Sequence, residues 1–333
     1  MNTFIEHLPK AELHVHLEGT LEPELSFALA KKNQIALAYD TPEALIAAYD
    51  FHDLPSFLAI YYSAMNVLRQ EEDFFELTWQ YLRKAHSQNI VYAEMFFDPQ
   101  AHTSRGVPFE TVIRGIRRAQ EHAWEELQLQ TQLILCFLRD MSAESAMQTL
   151  EQALPFKEWI IGVGLDSDEK NNPPIKFAEV FRRAREAGLR LTMHCDVNQE
   201  NTLVHIGQCL DVIGVDRIDH GVNSLEDTAL CDTIRERGLG LTVCPVSNRF
   251  VVQNLTGREI QRMLQLGMKA TINSDDPAYF RAYLNENLQA LSEDGITHDE
   301  IVQLVKNSFD VAWLTAPARA AYLAQVDAYV ASH

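Results

Sequence analysis

Residues 12–17 read Glu-Leu-His-Val-His-Leu. Alternate side chains of a strand share a face, so His14 and His16 point one way while Leu13, Val15 and Leu17 point the other. Two imidazoles side by side on a strand suit a first-row transition metal better than an apolar core. A His-x-His pair standing alone also fits a satisfied core position, so its meaning depends on the company it keeps.

Seven further segments have the same apolar or alternating character: 91–97 (VYAEMFF), 132–138 (QLILCFL), 160–165 (IIGVGL), 190–195 (RLTMHC), 217–220 (RIDH), 240–244 (GLTVC) and 269–273 (KATIN). Between them lie stretches such as 175–187 and 226–237, whose apolar residues recur at spacings of three and four, as an amphipathic helix requires. Eight strands alternating with helices predict a (β/α)₈ TIM barrel, with residues 1–333 forming one domain. The gap between 17 and 91 is too long for one crossover. It predicts helices at 42–49, 54–67 and 71–87, a helical insertion at about 18–90 that caps one barrel mouth. An open doubly wound sheet is the alternative, but no glycine-rich phosphate loop follows the first strand.

The chain has 333 residues, 47% hydrophobic and 23% charged, which is ordinary for a globular protein. Its formal net charge of −19 and lack of a Lys/Arg cluster argue against a nucleic-acid partner. Five scattered cysteines without a CxxC pair fit free thiols in a reducing compartment. The N-terminus has no basic segment followed by an apolar one, and no 18-residue apolar run occurs, so a cytoplasmic protein without a membrane partner is expected. A homo-oligomer is left open.

Active sites of such barrels lie at the C-terminal ends of the strands. Those ends carry His14 and His16, then Asp166, His194 with Asp196, His220, Cys244, and Asp275 with Asp276. His52, His86 and His122 fall in helical patterns and read as solvated. Three neutral imidazoles and a carboxylate, His14, His16, His194 and Asp275, make an N/O site suited to one Zn2+, with a position left for water. His220 is free to orient that water, Asp275 can shuttle its proton, and Asp276 is free to hydrogen-bond a substrate.

These residues resemble the adenosine/adenine deaminase branch of the amidohydrolases: His14-Val15-His16, then His194, then Asp219-His220-Gly221, then Asn273-Ser274-Asp275-Asp276-Pro277. The resemblance implies a zinc-dependent barrel that replaces the 6-amino group of a purine with oxygen. The segments Phe96-Phe97-Asp98-Pro99-Gln100, Arg105 to Glu110 and Leu241 to Pro245 are more similar to the free-base adenine deaminases. Glu18 stands where adenosine deaminases carry an Asp that holds the ribose, and the longer side chain would intrude on that space. The resemblance further implies that His14, His16, His194 and Asp275 bind zinc, that His220 assists the water, and that Asp276 bonds purine N7. Backbone N–H groups around Ser167 would meet the opposite ring edge.

One position departs from the family. After His194 the family places a Glu that protonates ring nitrogen N1, whereas this chain reads Cys195-Asp196-Val197-Asn198-Gln199-Glu200. Strand alternation puts Asp196 on the side of His194, while Glu200 reaches the mouth only if a longer loop folds back. Either carboxylate is a candidate for the general acid. The altered loop also leaves room for a bulkier amine, so N6-substituted adenines stand beside adenine as substrates. A nucleoside deaminase and a catalytically degenerate purine-binding protein are the remaining alternatives.

Overall fold

The computed structural model describes residues 3–51, 53–195, 200–251 and 257–333. Eight parallel strands follow one another around the sheet in sequence order. They are β1 (Lys10–His16), β2 (Ile90–Phe97), β3 (Gln130–Leu138), β4 (Gly162–Asp166), β5 (Arg190–Cys195), β6 (Arg217–His220), β7 (Gly240–Val243) and β8 (Lys269–Ile272). The ring closes beyond β8. Val15 bridges to Asp275, whose carbonyl accepts the His16 N–H (2.9 Å) and whose N–H donates to the His14 carbonyl (3.1 Å). The Asn273 side chain accepts the Leu13 N–H (2.8 Å) and extends that seam. The fold is the (β/α)₈ TIM barrel that the spacing of apolar segments predicts.

Strand parity works as expected in β1. Leu13 and Val15 are fully buried in the main core, and His14 and His16 face the barrel interior. The interior is filled in layers. Arg217 reaches Glu94 and lies over the Trp313 ring at one end, and Phe96, Ile134 and Cys136 pack in the middle. Gly162 and Gly164 leave room for this filling: a Cβ on either would lie 2.4 Å from the Trp313 ring or 2.6 Å from the Cys136 sulfur. All five cysteines are buried and free.

Element ends differ in small ways from the sequence expectation. β1 begins at Lys10, because its ammonium is buried on the Ile5 and Leu8 carbonyls (2.7 and 2.6 Å) instead of needing solvent. β4 begins at Gly162, since Leu154–Trp159 forms a 3₁₀ turn that delays the strand. The expected helix over 54–67 is α-helical only for Leu54–Ala64 and tightens into a 3₁₀ turn at Met65–Val67. That over 42–49 stops at Ala47, and the helix at Glu71–Ser87 falls where expected.

The Leu54–Ala64 helix matters most for the site. Asp53 and Ser56 form a reciprocal capping box at its start. Its residues Leu54, Phe57, Leu58, Tyr61 and Tyr62 recur at helical spacing and line a cavity over the C-terminal barrel mouth. No helix among the described residues is long and apolar enough to cross a membrane.

Candidate metal centre and substrate cavity

Four side chains converge at the mouth. His14, His16, His194 and Asp275 each offer a ligand atom, all within 4.8 Å of one another. The bonding behind these rings fixes which nitrogens face inward. Thr242 donates its hydroxyl proton to Asp219 Oδ1 (2.9 Å) and so accepts from His14 Nδ1–H (2.9 Å). That leaves the His14 Nε2 lone pair facing Asp275 Oδ1 at 3.1 Å, two acceptors opposed. His194 directs Nδ1 towards Asp219 Oδ2 (3.5 Å), and His16 directs Nδ1 towards Asp166 Oδ2 (3.4 Å). Their Nε2 atoms meet at 3.0 Å. Three imidazoles backed by acceptors, with bare nitrogens and a carboxylate oxygen pointing at one place, form the donor set of a cation site. The residues present fit zinc.

Electrostatics express the same demand. Burial opposes protonation of His16, but the Asp276, Asp275 and Asp98 carboxylates outweigh it and lift its imidazole to about 10. Burial and the charges of His14, His16 and His220 push His194 well down. Despite burial, the neighbouring imidazoles hold Asp275 well below the usual carboxylate range. Without a metal the cluster captures a proton; a dication satisfies the same lone pairs.

Backbone conformation presents these groups. Ser167, His220 and Asp275 all have positive φ (75°, 61° and 65°), a left-handed geometry that costs a non-glycine residue about 1–3 kcal/mol and gathers at functional sites. The kink at Asp275 lets Asp275 and Asp276 both enter the cavity, where a regular strand would send them to opposite faces. Asp276 lies against Gly19 so tightly that a Cβ there would sit 2.1 Å from its Oδ1. Burial and the Asp275 charge push the Asp276 carboxyl well above the ordinary range.

His220 donates Nδ1–H to Asn248 Oδ1 (3.0 Å), so its Nε2 keeps a lone pair, 3.9 Å from Asp275 Oδ2. Burial lowers its imidazole to about 4, keeping it neutral. Ser167 accepts a hydrogen bond from the Tyr62 hydroxyl (2.7 Å), which ties the β4 loop to the capping helix. The cavity opens at the barrel mouth beside these groups. One side is acidic and histidine-rich. The other is apolar, with Leu54, Phe57, Leu58 and Phe280.

Of the residues singled out in the sequence, His14, His16, His194 and Asp275 come together, and His220, Asp276 and Ser167 join them in or around the cavity. Glu18 is buried but does not line the cavity. Its Oε1 accepts from the Asp98 N–H (3.1 Å) and from His102 Nε2 (2.7 Å). Asp196 lies outside the described residues. Glu200 is exposed and is not part of the cavity wall. Two buried acids of that wall, Asp98 and Glu169, had no role assigned from sequence. Asp98 follows the last residue of β2, so reading every strand end, the second included, would have found it.

A (β/α)₈ barrel with three histidines and an aspartate converging at its C-terminal mouth defines a metal-dependent hydrolase. The chain belongs to the adenosine deaminase family, whose model matches residues 9–329, and it is a hydrolytic deaminase. An adenine deaminase of Geotalea uraniireducens is 49% identical over 327 residues, covering 97% of this chain and 92% of that protein. An uncharacterized deaminase of Schizosaccharomyces pombe is 52% identical over 333 residues, covering 99% and 98%. The crystal structure of adenine deaminase from Arthrobacter aurescens superposes with a TM-score of 0.93 at 41% identity, covering 97% of this chain and 99% of that one. An amidohydrolase of Burkholderia ambifaria with bound Zn has a TM-score of 0.90 at 25% identity, covering 99% and 93%.

Proposed function

We propose that this protein hydrolyses the 6-amino group of a free purine base, converting adenine and water to hypoxanthine and ammonia with one zinc ion per chain. The observation that carries this reading is the cluster of inward-facing lone pairs beside a neutral His220. Adenine deaminases at 46–49% identity over nearly the full chain support the choice of substrate. His14, His16, His194 and Asp275 would hold the zinc, whose Lewis acidity would lower the pKa of water from ~15.7 to about 7.

The chain's own residues do the rest. His220 Nε2 accepts the first proton of the water that adds to C6, with Asn248 fixing its ring, and Asp275 passes the remaining hydroxyl proton to the amine, which leaves as ammonia as the C6–N bond breaks. The Asp276 carboxyl, pushed upward by burial and the Asp275 charge, donates to N7 when it carries its proton, and the Ser167 backbone N–H meets the opposite ring edge. Protonation of N1 lets the ring accept the electrons of the new C–O bond, and it falls to a carboxylate of the loop after β5. Asp196 and Glu200 are the candidates. The exposed position of Glu200 favours Asp196.

The apolar wall favours a second substrate, since Leu54, Phe57, Leu58 and Phe280 form a surface that an N6-alkyl group could cover. Steady-state rates on adenine and N6-isopentenyladenine test the reading together with the loop acid. Amine release from at least one is expected, and failure on both refutes 6-aminopurine hydrolysis. Asp196→Asn should lower kcat by about 10²–10⁴, as loss of a general acid does. A loss below tenfold in both Asp196→Asn and Glu200→Gln removes the loop from the mechanism.

A further inference from the structure

Asp98 is the best-positioned side chain in the cavity that the mechanism leaves unused. It is 1% exposed, lines the cavity and shares a carboxyl–carboxyl hydrogen bond with Asp166, which leaves one of its two oxygens without a protein partner. A buried acceptor left open in a rigid setting marks a place for a donor that arrives from outside.

Its setting is rigid. The Asp98 N–H is held by Glu18 Oε1 (3.1 Å), Glu18 is held by His102 Nε2 (2.7 Å), and the Arg105 guanidinium donates to His102 Nδ1 (2.6 Å). Glu18 therefore anchors the Asp98 backbone. Although Asp98 precedes the short Pro99–Thr103 helix, its side chain caps none of that helix's N–H groups. Its neighbour Asp166 turns Oδ2 to His16 Nδ1 (3.4 Å) and shares a hydrogen bond with the Asp98 carboxyl, which leaves one Asp98 oxygen for an incoming donor.

The ligand's shape supplies the rest. In a purine, C6 and N9 lie at opposite ends of the bicycle. With C6 at the metal cluster, N7 on Asp276 after β8 and the N3 edge at Ser167 after β4, N9 points at the wall between them. The strand order β8-β1-β2-β3-β4 puts the end of β2, and Asp98, in that wall. A free base carries a proton on its imidazole ring at N9, and the glycosidic bond of a nucleoside replaces it. A carboxyl group offers an acceptor lone pair there whether or not it is ionised.

Resting on the base-deaminase reading above, we propose that Asp98 selects a free purine base over its nucleoside by accepting the base's imidazole N–H on the oxygen that Asp166 leaves free. Asp98 is a specificity residue in contact with substrate, and the Glu18–His102–Arg105 chain positions it. A site built to hydrogen-bond an N–H rejects an analogue that lacks it far more strongly than an apolar pocket rejects a methyl group.

The test compares adenine with 9-methyladenine on the zinc-loaded wild type, Asp98→Leu and Asp98→Asn. Calorimetric binding of hypoxanthine and 9-methylhypoxanthine gives the same comparison without turnover. The wild type should favour the N9–H member of each pair, by at least about 10³ in kcat/KM. Asp98→Leu should lose about 10²–10³ on adenine with no loss on 9-methyladenine, and Asp98→Asn, which keeps an acceptor oxygen, should hold the ratio within about tenfold of wild type. If adenine is turned over and Asp98→Leu keeps the wild-type ratio in both assays, the assignment of Asp98 is wrong and the deaminase reading survives. Wild type that releases no ammonia from adenine refutes that reading, and the role of Asp98 with it.

Discussion

Two polar layers share the inside of this barrel and differ in whether their carboxylates are satisfied. In the lower layer, Glu94 accepts from Arg217 (2.6 Å), from the Tyr92 hydroxyl (2.9 Å) and from the Trp313 backbone N–H (2.7 Å). Glu12 accepts from the Tyr81 hydroxyl (2.6 Å) and from the N–H and hydroxyl of Ser274. At the mouth, the equally buried Asp98 and Asp166 carboxyls have only each other, His16 and the Cys136 thiol as partners among the described residues, Asp276 keeps an oxygen with no partner, and three imidazoles turn bare nitrogens on one another or on Asp275. Burial without a partner costs about 1–3 kcal/mol per group. The carboxylates of the lower layer avoid that cost, while those of the upper layer carry it until a metal and a substrate arrive.

The largest effect that would sharpen this contrast is at the metal cluster. His14→Ala should abolish stoichiometric zinc in the purified protein, read by elemental analysis, and lower deaminase activity by more than about 10⁴-fold. Full activity in a metal-free His14→Ala protein would break the contrast outright. Next, His220→Asn should keep the metal and lose about 10²–10⁴ in kcat. Zinc lost along with activity would move His220 into the ligand set.

The lower layer should answer in a different quantity. Arg217→Met leaves Glu94 buried without its cation and should destabilise the protein by about 3–5 kcal/mol in denaturant unfolding, while kcat of the folded fraction stays near wild type. A stable but inactive variant would show that the two layers are not separable. The smallest effect is at the join between them. Thr242→Val removes the hydroxyl behind His14 and should weaken zinc binding by about 10–100-fold, measured by competition with a chelator. No change would mean that the His14 tautomer does not depend on Thr242.

Much of the metal end was legible in sequence because it obeys strand arithmetic. His14 and His16 share parity on β1, and His194, His220 and Asp275 fall at strand ends that apolar runs announce. Asp276 was legible as a partner of Asp275, but the reason both can face the cavity was not, since it is a left-handed φ of 65° at Asp275. The acidic wall was harder to read. Glu18 looked like a residue that fills the cavity, and its side chain instead turns to His102, 84 positions away. The apolar wall comes from a capping helix that sequence periodicity located but could not dock. The tertiary contact that docks its polar end, Tyr62 on Ser167, spans 105 positions.

The most direct test of the account is a side-by-side measurement of kcat/KM for adenine and adenosine on the zinc-loaded protein. A site with Asp98 open to an imidazole N–H predicts that adenine exceeds adenosine by at least about 10³. Adenosine turned over as efficiently as adenine, or better, would contradict it.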